Sequence, residues 1–333
     1  MSIKIGVARA LYSFYHYPFW HKFFEELDCE IILSPPTTRK ILEAGVKIAP
    51  EEICLPNKAY LGHIAYLKDK ADYVLVPRMV CLNTQRGTLN AERSLKFGCP
   101  KAIGLPDMVK SIFSDLPQMI DLTIDERIID QQDTFYNIGQ IFNKDKIKIQ
   151  NAWKSAKIEQ DKYDSLLLSG LKPSEIFLPF IPENTKIYNS TIPNIGLIGH
   201  PYLIYDDLLS LSLSDTIENL GARVQPVNSV CKATMYDEME KIPKVHWFYE
   251  QDIIGSTAYF LRQNLVSGIL FAFSFSCGTS SVVTEIIRKE LLDFYDIPSL
   301  TLLFDEHTSP AGLLTRIESF IDLLTRNHVR LKN

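Results

Sequence analysis

One stretch of the sequence indicates the fold class most directly: Gly268-Ile-Leu-Phe-Ala-Phe-Ser-Phe-Ser-Cys-Gly-Thr-Ser-Ser-Val282. Its first part, 268–275, is a short apolar run, which is typical of a strand buried on both faces of a sheet. The small and polar residues after it lead into a longer amphipathic segment over 282–294. A buried strand followed by a helix is the repeating unit of domains with parallel sheets. The stretch therefore predicts an α/β protein.

The same alternation of short apolar and longer amphipathic segments continues along the chain. The predicted strands cover 3–8, 30–34, 73–77, 101–105, 194–198, 223–226, 268–275 and 299–303. The predicted helices cover 19–27, 39–44, 121–142, 206–220, 250–265, 282–294 and 311–324. A chain of 333 residues is long enough for about two domains. We expect an N-terminal α/β lobe over 1–150, a helical linker over 151–190 and a C-terminal α/β lobe over 191–333.

Composition and charge exclude several classes of protein. Hydrophobic residues make up 46% and charged residues 23% of the chain, which excludes a disordered, collagen-like or coiled-coil protein. No apolar run approaches the roughly 20 residues that span a bilayer, and the N-terminus enters a strand pattern without a signal peptide. The net charge of −5 argues against a nucleic-acid partner. We expect a cytoplasmic protein without a membrane partner.

The motifs of the common nucleotide-dependent and hydrolytic enzymes are absent from the sequence. It contains no Gly-x-x-x-x-Gly-Lys-Ser/Thr loop, no Gly-x-Gly-x-x-Gly fingerprint, no His-Glu-x-x-His pair and no Gly-x-Ser-x-Gly elbow. Only 15 residues are glycine, so a glycine-rich phosphate loop has little support. These absences disfavour an ATP or NAD enzyme of a common type and a standard serine hydrolase.

Three of the six cysteines lie in positions suited to chemistry, and no Cys-x-x-Cys pair is present. Cys277 lies between a predicted strand and a predicted helix, where ligands bind in open α/β sheets and where a helix dipole favours a thiolate. Cys54 and Cys99 lie in the loops Pro50-Glu-Glu-Ile-Cys-Leu-Pro56 and Phe97-Gly-Cys-Pro-Lys101. Proline and glycine hold such loops rigid, and Cys-Pro often accompanies iron–sulfur ligands. For Cys277, an inert core residue or a lone nucleophile are the alternatives.

The other cysteines and three polar residues complete the candidates. Cys81 ends a strand-like run and can reach the same loop surface, whereas Cys29 and Cys231 are interpreted as structural. Each of the acid–base or metal-ligand candidates follows a predicted strand: His200, Glu306 and His307. Capping of the next helix is an equally good explanation for these three. A cysteine hydrolase using Cys277 and His307 is a further alternative, but no orienting partner is evident.

Taken together, several motifs resemble the DUF2229 family of the 2-hydroxyacyl-CoA dehydratase and benzoyl-CoA reductase superfamily. The resemblance covers nearly the whole chain and rests on Glu51-Glu-Ile-Cys-Leu-Pro56, Phe97-Gly-Cys-Pro-Lys-Ala-Ile-Gly-Leu-Pro-Asp107, Ile198-Gly-His-Pro-Tyr202, Ser274-Phe-Ser-Cys-Gly278 and Phe304-Asp-Glu-His-Thr308. It implies two flavodoxin-like (Rossmann-like) parallel-sheet lobes, linked by a long helical segment, with a [4Fe-4S] cluster in the cleft.

The resemblance also implies a ligand set, partners and a function. By motif, Cys54, Cys99 and Cys277 are the cluster ligands, and one iron is open to water or substrate. Cys81 is an alternative fourth thiolate, which would favour plain electron transfer. A separate ATP-hydrolysing activator would supply the electron, and an acyl-CoA or another small molecule would be the substrate. We therefore expect low-potential electron transfer or reductive, radical chemistry in an anaerobe, by an oxidoreductase or dehydratase-like protein; the alternative is a non-catalytic iron–sulfur or metal-binding scaffold.

Overall fold

The computed structural model of the chain describes residues 2–83, 95–173, 192–239, 242 and 245–330. It divides into two compact units, which we call the N-terminal unit (Met1–Asp164 with His246–Phe248) and the C-terminal unit (Ser165–Val245 with Tyr249–Asn333). Each unit contains one sheet of mostly parallel strands with helices between them. The predicted α/β fold with two flavodoxin-like lobes is confirmed.

The sheet of the N-terminal unit has four parallel strands in the order β2-β1-β3-β5, and β4 pairs antiparallel with the end of β3. The strands are β1 (Ile3–Val7), β2 (Cys29–Leu33), β3 (Tyr73–Asn83), β4 (Leu95–Phe97) and β5 (Gln118–Asp125). Ile5 is opposite Ile31 on one side and Tyr73 on the other. This register makes β1 a central strand, and its side chain at Ile5 is fully buried.

Seven helices of the described residues belong wholly or mainly to the N-terminal unit. They are α1 (Ser13–Glu26), α2 (Arg39–Ile48), α3 (Leu55–Leu67), α4 (Pro100–Ile103), α5 (Leu105–Ile112), α6 (Gln131–Ile141) and α7 (Lys146–Leu168). Aromatic rings of α1, α6 and α7 pack together, with Phe19 at 4.8 Å from Phe135 and 4.9 Å from Trp153 between ring centroids. The Tyr163 hydroxyl donates to the carbonyl of Phe14, which fixes the C-terminal half of α7 on α1.

The C-terminal unit repeats the same strand order with a wholly parallel sheet, β7-β6-β8-β9. Its strands are β6 (Asn194–Gly199), β7 (Arg223–Pro226), β8 (Gly268–Ser274) and β9 (Ser299–Phe304). Its helices are α8 (Pro201–Ile204), α9 (Leu213–Asn219), α10 (Lys232–Met239), α11 (Phe248–Arg262), α12 (Gly278–Ile287) and α13 (Pro310–Arg330). Every residue of β8 is buried, as its apolar run predicts. In this class of fold, ligands bind at the carboxyl edge of the sheet, between the two strands at which the strand order reverses. These strands are β1 and β3 in the N-terminal unit and β6 and β8 in the C-terminal unit.

Two predicted elements are wrong in type. The predicted strand over 101–105 is helical, because Cys99 is followed by Pro100 at the first position of α4, where a proline favours a helix start. The predicted helix over 121–142 begins instead with the end of β5, and its helical part is α6. The sequence 121–125 alternates apolar and polar residues, which is a strand pattern.

Other differences concern extent. Helix α3 lies in a stretch for which no element is predicted, and the predicted helix over 206–220 is reduced to α9. The described part of the predicted linker is mostly α7, and its remainder, 174–190, lies outside the described residues, as does the polar stretch 84–94. In the parts of the chain that the structure covers, no helix combines the length and the apolar character needed to cross a membrane.

Candidate functional site

Three side chains of the C-terminal unit meet at the carboxyl edge of its sheet. One potential ligand atom from each of His200, Glu250 and Cys277 lies within 4.8 Å of the other two. His200 follows β6 and Cys277 follows β8, and these two strands are neighbours in the sheet. Glu250 lies in the first turn of α11. The fold thus assembles a thiol, an imidazole and a carboxylate from positions as much as 77 residues apart, counting from 200 to 277.

A dense hydrogen-bond network holds these groups. Glu250 Oε1 contacts His200 Nε2 at 3.1 Å and accepts from the hydroxyls of Ser280, at 3.2 Å, and Thr279. The Cys277 thiol donates to Ser280 Oγ at 3.0 Å. Glu250 Oε2 and His200 Nδ1 are buried and have no hydrogen-bond partner among the described residues. Glu250 Oε1 therefore has three polar contacts, whereas Glu250 Oε2 has none among the described residues.

The charges and hydrogen bonds of the site favour an ion pair between His200 and Glu250, with Cys277 as a thiolate beside it. Burial alone would lower the pKa of His200, but Glu250 and Cys277 raise it to about 10. Burial would raise the pKa of Cys277, but the hydrogen bond and charge of His200 lower it to about 7. Burial would raise the pKa of Glu250, but the charge and hydrogen bond of His200, together with the hydrogen bonds from Thr279 and Ser280, lower it. Cys277 also precedes the first turn of α12, where unpaired N–H groups and the helix dipole favour an anion.

The other two acid–base candidates lie after β9. Glu306 is half-buried, and His307 is exposed and donates its backbone N–H to Asp305 Oδ1 at 2.9 Å. The histidine that the structure brings to Cys277 is His200. The prediction missed Glu250, which begins a predicted helix. An acidic residue in a first turn is ordinarily explained by the helix dipole, so the sequence carries no stronger signal for it.

Cys54 and Cys99 both lie in the N-terminal unit. Each is the N-cap of a helix with a proline in its first two positions, Cys54 for α3 and Cys99 for α4. The pKa of the buried Tyr12 hydroxyl is raised first by burial and then by the charges of Cys99 and Cys54. Both sulfurs are therefore close enough to act on one phenol. The Asn57 side-chain amide donates to Cys54 Sγ at 2.9 Å.

The remaining cysteines have different surroundings, and all six are free thiols. Cys81 is fully buried within β3, where its thiol donates to the carbonyl of Leu82 and burial raises its pKa. Cys29 begins β2, and burial raises its pKa to about 11. Cys231 is exposed, and a hydrogen bond with Thr234 lowers its pKa. A buried thiol within a strand is poorly suited to binding a ligand, unlike a thiol at a helix start.

The fold and these thiol-bearing sites define a protein of two flavodoxin-like α/β units. The chain belongs to the family described as CoA enzyme activase uncharacterised domain (DUF2229), which matches residues 4–230. That match includes Cys54, Cys99 and His200 and ends before Glu250 and Cys277. A comparison with curated proteins finds no match.

Two solved structures are distantly similar. One is the periplasmic zinc binding protein TroA from Treponema pallidum, at 10% identity and a TM-score of 0.27, covering 97% of this chain and 99% of that chain. The other is the C-terminal domain of glucosamine-fructose-6-phosphate aminotransferase from Francisella tularensis, at 11% identity and a TM-score of 0.21, covering 99% of this chain and 84% of that chain.

Proposed function

We propose that this chain is an iron–sulfur protein of the 2-hydroxyacyl-CoA dehydratase-like superfamily, in which Cys54, Cys99 and Cys277 hold a [4Fe-4S] cluster. The observation that carries the proposal is the placement of Cys54 and Cys99. They are 45 positions apart (99 minus 54), yet both begin helices and both raise the pKa of the same buried phenol, that of Tyr12. Two reduced thiols that act on the same buried phenol and form no disulfide fit a metal or cluster site in a protein that keeps its thiols reduced.

The local chemistry of the three cysteines fits thiolate ligands. Cys54 and Cys277 precede helices of 13 and 10 residues, whose N-terminal dipoles stabilise negative charge. The Asn57 amide donates to Cys54, and His200 favours the anionic form of Cys277. An iron–sulfur cluster needs deprotonated cysteines, so groups that favour a thiolate also favour binding. Cys81, a buried thiol within β3, lacks these features, and we therefore favour three thiolates over four.

The proposed activity is low-potential electron transfer or reductive chemistry. When bound, a cluster with three thiolate ligands supplies one iron that can accept a ligand or pass an electron. The chain's own contribution next to Cys277 is the buried pair of His200 and Glu250. His200 can hold a proton at Nε2 while Glu250 Oε1 balances its charge at 3.1 Å. Such a pair can position and protonate a group that leaves a reduced substrate.

We also propose that a separate ATP-hydrolysing activator supplies the electron and that the substrate is an acyl-CoA or another small molecule. The protein would act in the cytoplasm of an anaerobe. The sequence contains no phosphate-binding loop that would couple ATP hydrolysis to reduction within this chain. The family description, CoA enzyme activase, supports a connection with CoA enzymes. A cluster that carries thiolates in a partly apolar site resists added negative charge, so a strong electron donor is required.

The first experiment is anaerobic purification and reconstitution, followed by iron and acid-labile sulfide analysis and electron paramagnetic resonance. We expect iron and sulfide in equal amounts. Single alanine substitutions of Cys54, Cys99 or Cys277 should sharply reduce cluster retention, whereas the matched controls Cys29→Ala and Cys231→Ala should keep it. Retention in Cys81→Ala supports three thiolates. Protein that stays colourless after reconstitution, or equal retention in all the cysteine variants, contradicts the proposal.

The partner is tested separately on cluster-loaded protein. Reduction is followed spectroscopically after mixing with the candidate activator, ATP and a chemical reductant. We expect efficient reduction only when activator and ATP are both present. Full reduction by an ordinary ferredoxin, at the same rate without ATP, would show that no activator is needed and would leave the cluster assignment intact.

A further inference from the structure

We propose that the C-terminal unit contains a single-ion metal site of its own, formed by His200, Glu250 and Cys277. Its occupant is a divalent ion of borderline softness, such as Zn²⁺ or Fe²⁺. The site goes beyond the proposed cluster, because it requires no residue of the N-terminal unit. Its three ligands come from the ends of β6 and β8 and from the first turn of α11.

The spacing of the ligand atoms fits one ion. A tetrahedral ion with bonds of about 2.0 Å to nitrogen or oxygen and about 2.3 Å to sulfur separates its ligand atoms by roughly 3–4 Å. The three potential ligand atoms all lie within 4.8 Å of one another, with 3.1 Å between His200 Nε2 and Glu250 Oε1. An ion can take the place of the proton that links these groups in the metal-free protein, with only small side-chain movements.

An unpaired carboxylate oxygen points to a missing ligand. Glu250 is 2% exposed, yet its Oε2 has no hydrogen-bond partner among the described residues. Buried polar atoms are nearly always paired, so an unpaired carboxylate oxygen needs a donor or a cation. Glu250 Oε1 already receives hydroxyl hydrogen bonds from Thr279 and Ser280, which fix the orientation of the carboxylate. Such supporting bonds are typical of metal-binding carboxylates.

The donor types and their charges select the kind of ion. A thiolate and an imidazole favour zinc or ferrous iron over magnesium or calcium, which bind oxygen ligands. The thiolate of Cys277 and the carboxylate of Glu250 together neutralise a divalent ion, which suits a buried site. The described residues supply three ligands, and a fourth position then remains for water or a small molecule, as in catalytic zinc sites.

The single ion and the proposed cluster share Cys277, so one chain binds either of them but not both. A variant that cannot hold the cluster is therefore the best material for the test. Cys54→Ala/Cys99→Ala removes two of the three proposed cluster ligands and leaves every group of the single-ion site in place. The unmodified chain, prepared free of metal under anaerobic conditions, serves as a second sample if the double variant folds poorly by circular dichroism.

The experiment titrates both samples with Co²⁺ and follows the thiolate-to-cobalt charge-transfer absorption. We expect one Co²⁺ per chain. The charge-transfer band should disappear when the substitution Cys277→Ala is introduced into either sample. The affinity for Co²⁺ should fall about tenfold or more in His200→Ala or Glu250→Gln. The matched control Cys231→Ala should keep the band. Absence of the band from folded protein, or a band unaffected by both His200→Ala and Glu250→Gln, overturns the proposal. Iron and sulfide analysis of the reconstituted unmodified protein tests the cluster independently.

Discussion

The Asn57 amide donates a hydrogen bond to the sulfur of Cys54 with an N–S distance of 2.9 Å, one turn into the helix that Cys54 begins. Asn57 is only 5% exposed, and its other polar atom, Oδ1, has no partner among the described residues. The side chain is therefore fixed by its contact with sulfur. Because an N–H group stabilises an anionic sulfur more than a neutral one, this contact bears directly on any cluster bound through Cys54.

Replacing Asn57 with alanine should change both stability and redox behaviour. Loss of one buried hydrogen bond should lower the free energy of unfolding of the metal-free protein by about 1 kcal/mol. In cluster-loaded protein the midpoint potential should become more negative, because a hydrogen bond to a ligand sulfur stabilises the reduced cluster. Urea unfolding and a redox titration measure the two effects. Asn219→Ala, at an exposed position of α9, is the control, and an unchanged potential in Asn57→Ala would contradict the assigned role.

Close packing of α2 on α3 supports the position of Cys54. A Cβ atom at Gly45 would lie 1.9 Å from the carbonyl oxygen of Lys58, and one at Gly62 would lie 2.0 Å from that of Ile41. Either Gly→Ala substitution must therefore separate the two helices, and we expect a loss of about 1–3 kcal/mol or more in urea unfolding. Gly312→Ala is the control, since nothing lies within 4 Å of its added Cβ. Equal stability of Gly45→Ala and the control would show that the helix contact is not required.

Much of the fold follows from local sequence patterns. The apolar run of β8 has the length of a strand and is followed by small and polar residues, so it predicts a buried central strand. The small residues after Cys277 predict a helix start. Both features are local, so a sequence shows them without knowledge of the packing. The location of Cys277 and of His200 at the carboxyl edge of a parallel sheet follows in the same way.

Other features depend on packing between distant segments. Glu250 joins His200 only because α11 packs beside β6, and nothing in the residues around Glu250 shows this. The stretch 101–105 contains apolar residues of either helical or strand type, and the turn begun by Pro100 decides for a helix. Helix α3 buries polar residues such as Asn57 and His63, so its pattern lacks a clear apolar face.

The buried ring of His63 should make stability depend on pH. Its Nδ1 contacts Ser34 Oγ at 2.8 Å and its Nε2 contacts Thr37 Oγ1 at 2.9 Å, and burial, with a smaller effect of Arg9, lowers its pKa to about 3. Histidine in an unfolded chain has a pKa of about 6.5. Below that value the unfolded state binds the proton and the folded state does not. The contribution of the neutral His63 ring to the free energy of unfolding is therefore fully present above about pH 6.5. It is lost as the pH drops towards 3, by up to about 1.4 kcal/mol per pH unit.

Urea unfolding at pH 7, 6 and 5 measures this dependence. His63→Gln keeps hydrogen-bonding atoms for Ser34 and Thr37 but does not titrate, so its stability should fall less steeply than that of the unmodified protein over the same range. The difference between the two slopes isolates His63 from the carboxylates, which titrate in both proteins. Identical slopes would mean that His63 does not exclude a proton in the folded state.

In the metal-free protein at neutral pH, the partly buried Cys277 should be alkylated more readily than the buried Cys29. Burial opposes its ionisation, but His200 lowers its pKa to about 7, whereas burial raises the pKa of Cys29 to about 11. Only the thiolate reacts with iodoacetamide, so the rate at Cys277 should rise with pH and reach half its maximum near pH 7. In His200→Ala this midpoint should rise towards the usual value of about 8.5. Mass spectrometry of the alkylated peptides measures the extent of reaction at each cysteine, with Cys29 as the unreactive control. The same pH midpoint with and without the His200 side chain would show that the imidazole does not act on the thiol.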